Sequence, residues 1–136
     1  MDPREPREPK ESVVQQHHLR YWQNQVARAA QARQQASEQA WQEVAQIAQM
    51  LRQDFAVTRI VVFGSLTKGR FTEESDIDLA VAGIPKERFF EALGRVNRYS
   101  QRWVDLKPLE DLDPYFRQRI LSTGVDLVDS HEVSSS

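Results

Sequence analysis

A Gly-Ser pair, ten intervening residues, and two aspartates separated by one apolar residue form the stretch of this chain best suited to chemistry: Gly64-Ser65, then Asp76-Ile77-Asp78. Residues two apart on a strand point to the same side, so Asp76 and Asp78 can share one divalent cation, or hold two placed a few ångströms apart. Hard oxygen ligands favour magnesium or manganese. Upstream, Gly64 allows a sharp turn and close approach of backbone to an anion, while Ser65 offers a hydroxyl and an N–H to phosphate oxygens. Transfer of a nucleotidyl group needs such a combination: the triphosphate must be neutralised, the attacking hydroxyl made more acidic and the departing pyrophosphate stabilised.

A two-cation site wants a third carboxylate, and Asp105 in Trp103-Val104-Asp105-Leu106-Lys107 is the best candidate. Val104 and Leu106 would face the core, leaving Asp105 on the side of the Asp pair if its strand lies beside theirs. Glu73, Glu74, Glu110 and Asp111 are alternatives, but all fall in expected loops or turns, where ligand geometry is harder to hold. Lys68 and Arg70 follow the Gly-Ser turn and are candidates to meet the triphosphate; the competing reading is an exposed basic pair that is simply solvated. Gly-Ser alone is common in turns, and Ser-Asp-Ile-Asp alone suits a capped strand edge. Order, spacing and strand context lift the combination above either. His17 and His18 lack carboxylate or cysteine partners nearby in sequence, and Trp22, Trp41 and Trp103 are expected to pack. No Ser-His-Asp arrangement or Walker-type loop is visible.

The elements that must position these residues are legible in the patterning. Residues 1–11, with Pro3, Pro6 and Pro9 among charges, are expected to form a disordered tail. From Ser12 to Asp54 the chain has no Gly or Pro and is rich in Ala and Gln, which predicts helix. Its second half carries an apolar stripe (Ala40, Val44, Ile47, Leu51), whereas Val26 to Ala40 offers mainly Ala, so residues 12–38 are expected to extend beyond the core. An Ala-rich face suits a partner helix or a homo-oligomer; a solvated helix is the alternative. Thr58 to Phe63 predicts a buried strand delivering the Gly-Ser turn, and Ser75 to Val81 a second one with Ile77, Leu79 and Val81 on one face and Asp76 and Asp78 on the other. A helix from Lys86 to Tyr99, a strand from Arg102 to Lys107, a helix from Tyr115 to Ser122 and a strand from Val125 to Asp129 complete a domain over 39–130. Residues 131–136 are expected to be disordered. The fold class is α/β (α+β): a small mixed sheet with helices.

Bulk properties narrow the function classes. At 136 residues the chain suits one modest core. With a net charge of −2 it has no global positive field to gather nucleic acid, which is an unlikely partner. It has no cysteine, which excludes disulfides and thiolate metal sites and fits a reducing, cytoplasmic setting. No apolar run approaches the roughly 20 residues needed to span a bilayer.

Phe63-Gly64-Ser65-Leu66-Thr67-Lys68-Gly69-Arg70 with Ser75-Asp76-Ile77-Asp78-Leu79, then Val104-Asp105-Leu106 and Ile120 to Leu127, resembles the minimal nucleotidyltransferase branch of the DNA polymerase β superfamily. The match runs in order over roughly residues 39–129 with a complete Gly-Ser-x10-Asp-x-Asp motif. The resemblance implies a polymerase β-type fold with helices on one face of the sheet and the carboxylates on the other. It implies ATP as donor and magnesium as cofactor, Asp76 and Asp78 as metal ligands, Asp105 as the third carboxylate that assists deprotonation of the acceptor, and Gly64, Ser65 and Lys68 at the triphosphate. Members of this size are similar to antitoxins encoded beside a HEPN-type toxin, several of which transfer AMP to a toxin tyrosine. One small domain also has little wall with which to enclose a small acceptor, so a protein acceptor is expected. The competing readings are a non-catalytic module that neutralises its partner by contact, and a small-molecule nucleotidyltransferase of the aminoglycoside type. The helix before Gln39 falls outside the resemblance.

Overall fold

The computed structural model describes residues 7–128, with side chains from residue 15 onward. Helix α1 (Arg7–Phe55) runs for 49 residues and is followed by strands β1 (Arg59–Phe63) and β2 (Ile77–Ala82), helix α2 (Phe89–Val96), strand β3 (Val104–Pro108), helix α3 (Pro114–Thr123) and the short strand β4 (Val125–Asp126). The helix takes in residues 7–11, which the proline content had assigned to a tail. Pro9 is its third residue, where a missing N–H breaks no intrahelical bond. The expected disorder over 131–136 lies outside the described residues. Among the described residues, no helix is long and apolar enough to cross a membrane.

The strands form one sheet in the order β3-β2-β1-β4, with β1 antiparallel to β2 and β4 and with β2 parallel to β3. A parallel pair needs a crossover, and α2 supplies it. Alternation sorts the strand residues onto two faces. Ile60, Val62, Ile77, Leu79, Val81, Val104 and Leu106 are buried against Ala40, Val44, Ile47, Leu51 and Phe55 of α1 and Ala92 and Val96 of α2. On the other face Val61 and Ala80 pack with Leu109 and with Ile120 of α3. Thus α1 and α2 share one side as expected, and α3 covers part of the side that carries the aspartates. Gly124 lets α3 close on the sheet, since a Cβ there would sit 2.6 Å from Val61 Cγ1.

From Gln15 to Gln31 the side chains of α1 do not enter this core. Every residue from Gln15 to Gln31 is exposed, and Ala36 is the first buried one. Between Gln15 and Arg28, before Ala29 reaches the Thr72–Glu74 loop, the helix overhangs its own domain by about 20 Å at 1.5 Å per residue.

What fixes β3, and with it Asp105, is a polar cluster that hydrophobic patterning does not reveal. Glu43 on α1 accepts hydrogen bonds from Ser100 Oγ (2.6 Å) and the Gln101 N–H (3.4 Å), and its carboxylate lies 3.9 Å from Arg102 Nη1. Both side chains are only about a tenth exposed (11% and 10%), and the Arg102 guanidinium rests 5.0 Å from the Phe71 ring. Asn97 accepts from the Val104 N–H (2.7 Å) and donates to the Val104 carbonyl (3.1 Å), closing the first residue of β3. Arg102 Nε and Nη1 have no hydrogen-bond partner among the described residues, where the nearby charge of Glu43 compensates the guanidinium. Glu43→Ala should therefore cost about 3 kcal/mol, the penalty of stranding a buried charge. Thermal melts should show the loss, and a melting point within a degree of wild type would contradict this account.

Candidate active site

The chain leaves β1 at Phe63 and enters a short 3-10 turn, Gly64–Thr67, at the mouth of the sheet. Gly64 has φ +79°, in the left-handed region, and a Cβ there would collide with Oδ2 of Asp78 and stand 3.1 Å from its Cγ. Glycine is thus required both by backbone conformation and by the space the carboxylate takes. Leu66 buries into the core and pins the turn; Thr67 Oγ1 donates to the Gly64 carbonyl (3.0 Å), and the N–H groups of Lys68 and Arg70 both donate to the Ser65 carbonyl (3.2 and 3.1 Å).

Register does the rest. Phe63 pairs with Asp78 across β1–β2, and Asp78 pairs with Asp105 across β2–β3, so one row of the sheet reads Phe63, Asp78, Asp105. Asp76 stands immediately before β2 and is exposed, whereas Asp78 and Asp105 are half-buried. The Asp78 carboxyl is pushed up from 3.8 to about 6, first by burial, then by the charges of Asp105 and Asp76, with Lys107 opposing. The three expected carboxylates are therefore electrostatic neighbours. The alternatives to Asp105 are used elsewhere or stand apart: Glu110 accepts from the Gly83 N–H (2.9 Å), Asp111 lies 3.8 Å from Lys86 Nζ, and Glu73 and Glu74 are exposed in the loop before β2.

One residue of this face was not singled out from sequence. Lys107 Nζ lies 3.2 Å from Asp105 Oδ2, and both side chains are roughly one-third exposed (32% and 39%). The signal was present in the alternation Asp105-Leu106-Lys107, which puts the lysine on the aspartate's face whenever Leu106 is buried. Lys68 and Arg70, the expected basic residues, are exposed in the loop, and neither figures among the charges acting on Asp78.

The donor set suits a hard divalent cation: it is all carboxylate, and Asp78 sits in a net negative field that Lys107 offsets only in part. As the side chains stand, however, no group of three His, Cys, Asp or Glu among the described residues closes tightly enough to hold a metal ion. Asp105 Oδ2 faces Lys107 Nζ, while the charge of Asp105 acts on Asp78 ahead of that of Asp76.

A family model described as polymerase beta, nucleotidyltransferase matches residues 45–133. The chain belongs to this nucleotidyltransferase family. The Methanocaldococcus jannaschii protein MJ1547, which carries the name of a protein adenylyltransferase, is 33% identical over 63 residues, covering 46% of this chain and 48% of its own length. The match thus spans about half of that relative. Among solved structures, a minimal nucleotidyltransferase superposes with TM-score 0.56 at 23% identity over 68% of this chain and 95% of that one. The MntA–HepT toxin–antitoxin complex gives 0.53 at 20% over 70% and 77%, and a toxin–antitoxin complex with AMP-PNP gives 0.55 at 21% over 69% and 77%. At these identities the likeness is one of fold.

Two outcomes follow for this nucleotidyltransferase. Gly64→Ala should cost about 2–4 kcal/mol, combining left-handed strain with overpacking against Asp78, and a melting curve matching wild type would refute the close approach. Asp78 binds its proton more tightly folded than unfolded, so its contribution to stability is greatest at low pH and is lost as pH rises from about 4 through about 6. Asp78→Asn should accordingly stabilise the metal-free protein at pH 7.5 by about 1 kcal/mol, after discounting for solvent screening. That gain should vanish near pH 4, and a gain independent of pH would contradict the charge account.

Proposed function

We propose that the protein transfers AMP from ATP to a hydroxyl of a protein acceptor, as the antitoxin of a HEPN-type toxin pair. The observation that carries the chemistry is the row Phe63, Asp78, Asp105 beside the Gly64 turn, with Asp76 next to it. Magnesium or manganese held by Asp76 and Asp78 would neutralise the triphosphate and stabilise departing pyrophosphate. The turn at Gly64 and Ser65 brings backbone close to the phosphates, with Lys68 at its end to approach them. Asp105 takes the proton of the acceptor hydroxyl, whose oxygen bonds to the α-phosphorus as the bond from that phosphorus to the β-bridging oxygen breaks and pyrophosphate leaves. Above pH 6 the Asp78 carboxyl is mostly ionised and ready for a cation.

A protein acceptor is supported by the overhanging helix. Leu19, Trp22 and Val26, 59%, 68% and 55% exposed, continue the helical stripe that farther along buries Ala36, Ala40 and Val44. Arg20, Arg28 and Arg33 are the charged residues between Glu11 and Glu38, so the arm suits a partner with an apolar seat and acidic rim. Its root, at Ala29, Ala32 and Arg33, borders the Thr72–Glu74 loop that leads into Asp76. Partner docking and chemistry would thus lie side by side. The AMP-PNP complex among the fold's neighbours and the adenylyltransferase name of the relative agree with an adenylyl donor.

The test is incubation of the full chain with α-labelled ATP, magnesium and the product of the adjacent gene. Label should appear on that product, and Asp78→Asn should reduce it on the order of a hundredfold or more. Undiminished labelling by the variant would refute the assignment of Asp78, and neutralisation without any labelling would favour masking by contact.

A further inference from the structure

We propose that a second copy of this chain covers the apolar stripe of the arm, with Trp22 seated in a cavity at the corner formed by α2 and the end of β3. The cavity has a volume of about 500 Å3 and is walled by Ile84, Pro85, Phe89, Phe90 and Pro108. It opens at the opposite end of the sheet from the carboxylates: Pro108 ends β3 and Ile84 follows the end of β2, whereas Asp105 and Asp78 are second in those strands. Phe90, 84% exposed, is the most exposed large apolar side chain among the described residues. The arm cannot turn back onto this corner of its own chain, because α1 is one continuous helix from Arg7 to Phe55.

Charge selects which surface meets which. Arg20, Arg28 and Arg33 give the arm a charge of +3 with no acid between Glu11 and Glu38, in a chain whose net charge is −2, so the remainder carries −5. Two arms laid together would set like charges side by side. At the cavity the balance is opposite: Glu87, Glu91, Glu110 and Asp111 stand against Lys86 and Arg88. Glu91 takes up Arg88 (3.3 Å) and Asp111 lies 3.8 Å from Lys86 Nζ, which leaves Glu87 and Glu110 without an ion-pair partner among the described residues. Tryptophan suits such a seat, since its ring is apolar and its indole N–H wants an acceptor, which the carboxylates of Glu110 and Asp111 at the rim offer. Leu19 and Val26, a turn to either side of Trp22, extend the contact along the arm.

Each copy brings one arm and one cavity, so the contact is head-to-tail; two copies that exchange arms close it, and otherwise it extends. An acceptor docked on the arm takes the same stripe, so acceptor and second copy exclude one another. The contact uses no residue of the carboxylate row, and its failure would leave the transfer of AMP untouched.

The experiment is sedimentation equilibrium of the full chain across the micromolar range. Wild type should self-associate, less strongly as salt is raised, and Trp22→Ser and Phe90→Ser should each weaken association about tenfold or more. Both side chains lie outside the core, so both variants keep the fold. Mixing the two variants should restore a one-to-one complex, because the Phe90→Ser chain still has its arm and the Trp22→Ser chain its cavity. A wild-type chain that stays monomeric overturns the proposal. So does association that Phe90→Ser leaves unchanged, which would mean that arms pair with each other, or a mixture that remains monomeric.

Discussion

Asp78 lies half-buried in the sheet with Asp105 beside it on β3 and Asp76 two residues upstream, and burial with their mutual repulsion lifts its carboxyl to about 6. Adjacent strands run about 4.8 Å apart, a separation at which two like charges near a protein surface repel by about 3 kcal/mol. The fold has to supply that energy from elsewhere. It does so by making the other face of the same strands wholly apolar: Ile77, Leu79, Val104 and Leu106 are each nearly inaccessible beneath α1 and α2. Because side chains alternate, the core that holds Ile77 and Leu79 inward necessarily holds Asp78 outward. A one-residue slip of β2 would relieve the repulsion and bury a carboxylate, at far greater cost.

Local devices then adjust what register alone leaves rough. Gly64 removes the one Cβ that would stand against the Asp78 carboxylate, and Lys107 puts a positive charge against Asp105. On the far side of β3, Asn97 and the Glu43–Arg102 pair hold the strand's entry, which keeps Asp105 level with Asp78. These contacts tie α1, the loop before β3 and the sheet into one support for the site. The carboxylate row is electrostatically strained, as the raised Asp78 carboxyl records.

Much of this was legible in the sequence because it follows from period. Strand alternation put Asp76 and Asp78 on one side and, through Val104 and Leu106, left Asp105 to join them if its strand lay beside theirs, an adjacency that the β2–β3 register supplies. Other features had no periodic signature. Glu43 lies in a stretch rich in Gln, and only its position on the buried side of α1 makes it structural. Asn97 closes β3 through a tertiary contact that its place near the end of α2 does not announce. Lys107 has a different reason: the basic residues next to the Gly-Ser turn in sequence are Lys68 and Arg70, whereas Lys107 reaches the site from β3. The placement of α3 over Val61 and Ala80 has no signature in the sequence because those two residues read equally well as core of either face.

The long helix poses a separate physical problem. A helical stretch of 12–15 residues is marginal in water by itself, yet α1 continues well past Ala36, where its burial begins. Ala, Gln and Arg are good helix formers, so the anchored half, held by Val44, Ile47 and Leu51, acts as a nucleus and the arm needs only propagation. That economy explains why the arm can be poor in large apolar residues and still be helical. It also means that Leu19, Trp22 and Val26 are not there to stabilise the domain, since they contact none of its core. Three large apolar side chains kept in water on one helical stripe carry an aggregation penalty with no return among the described residues of this chain, and that stripe leads down to the root of the arm, where Ala29, Ala32 and Arg33 border the loop that feeds Asp76.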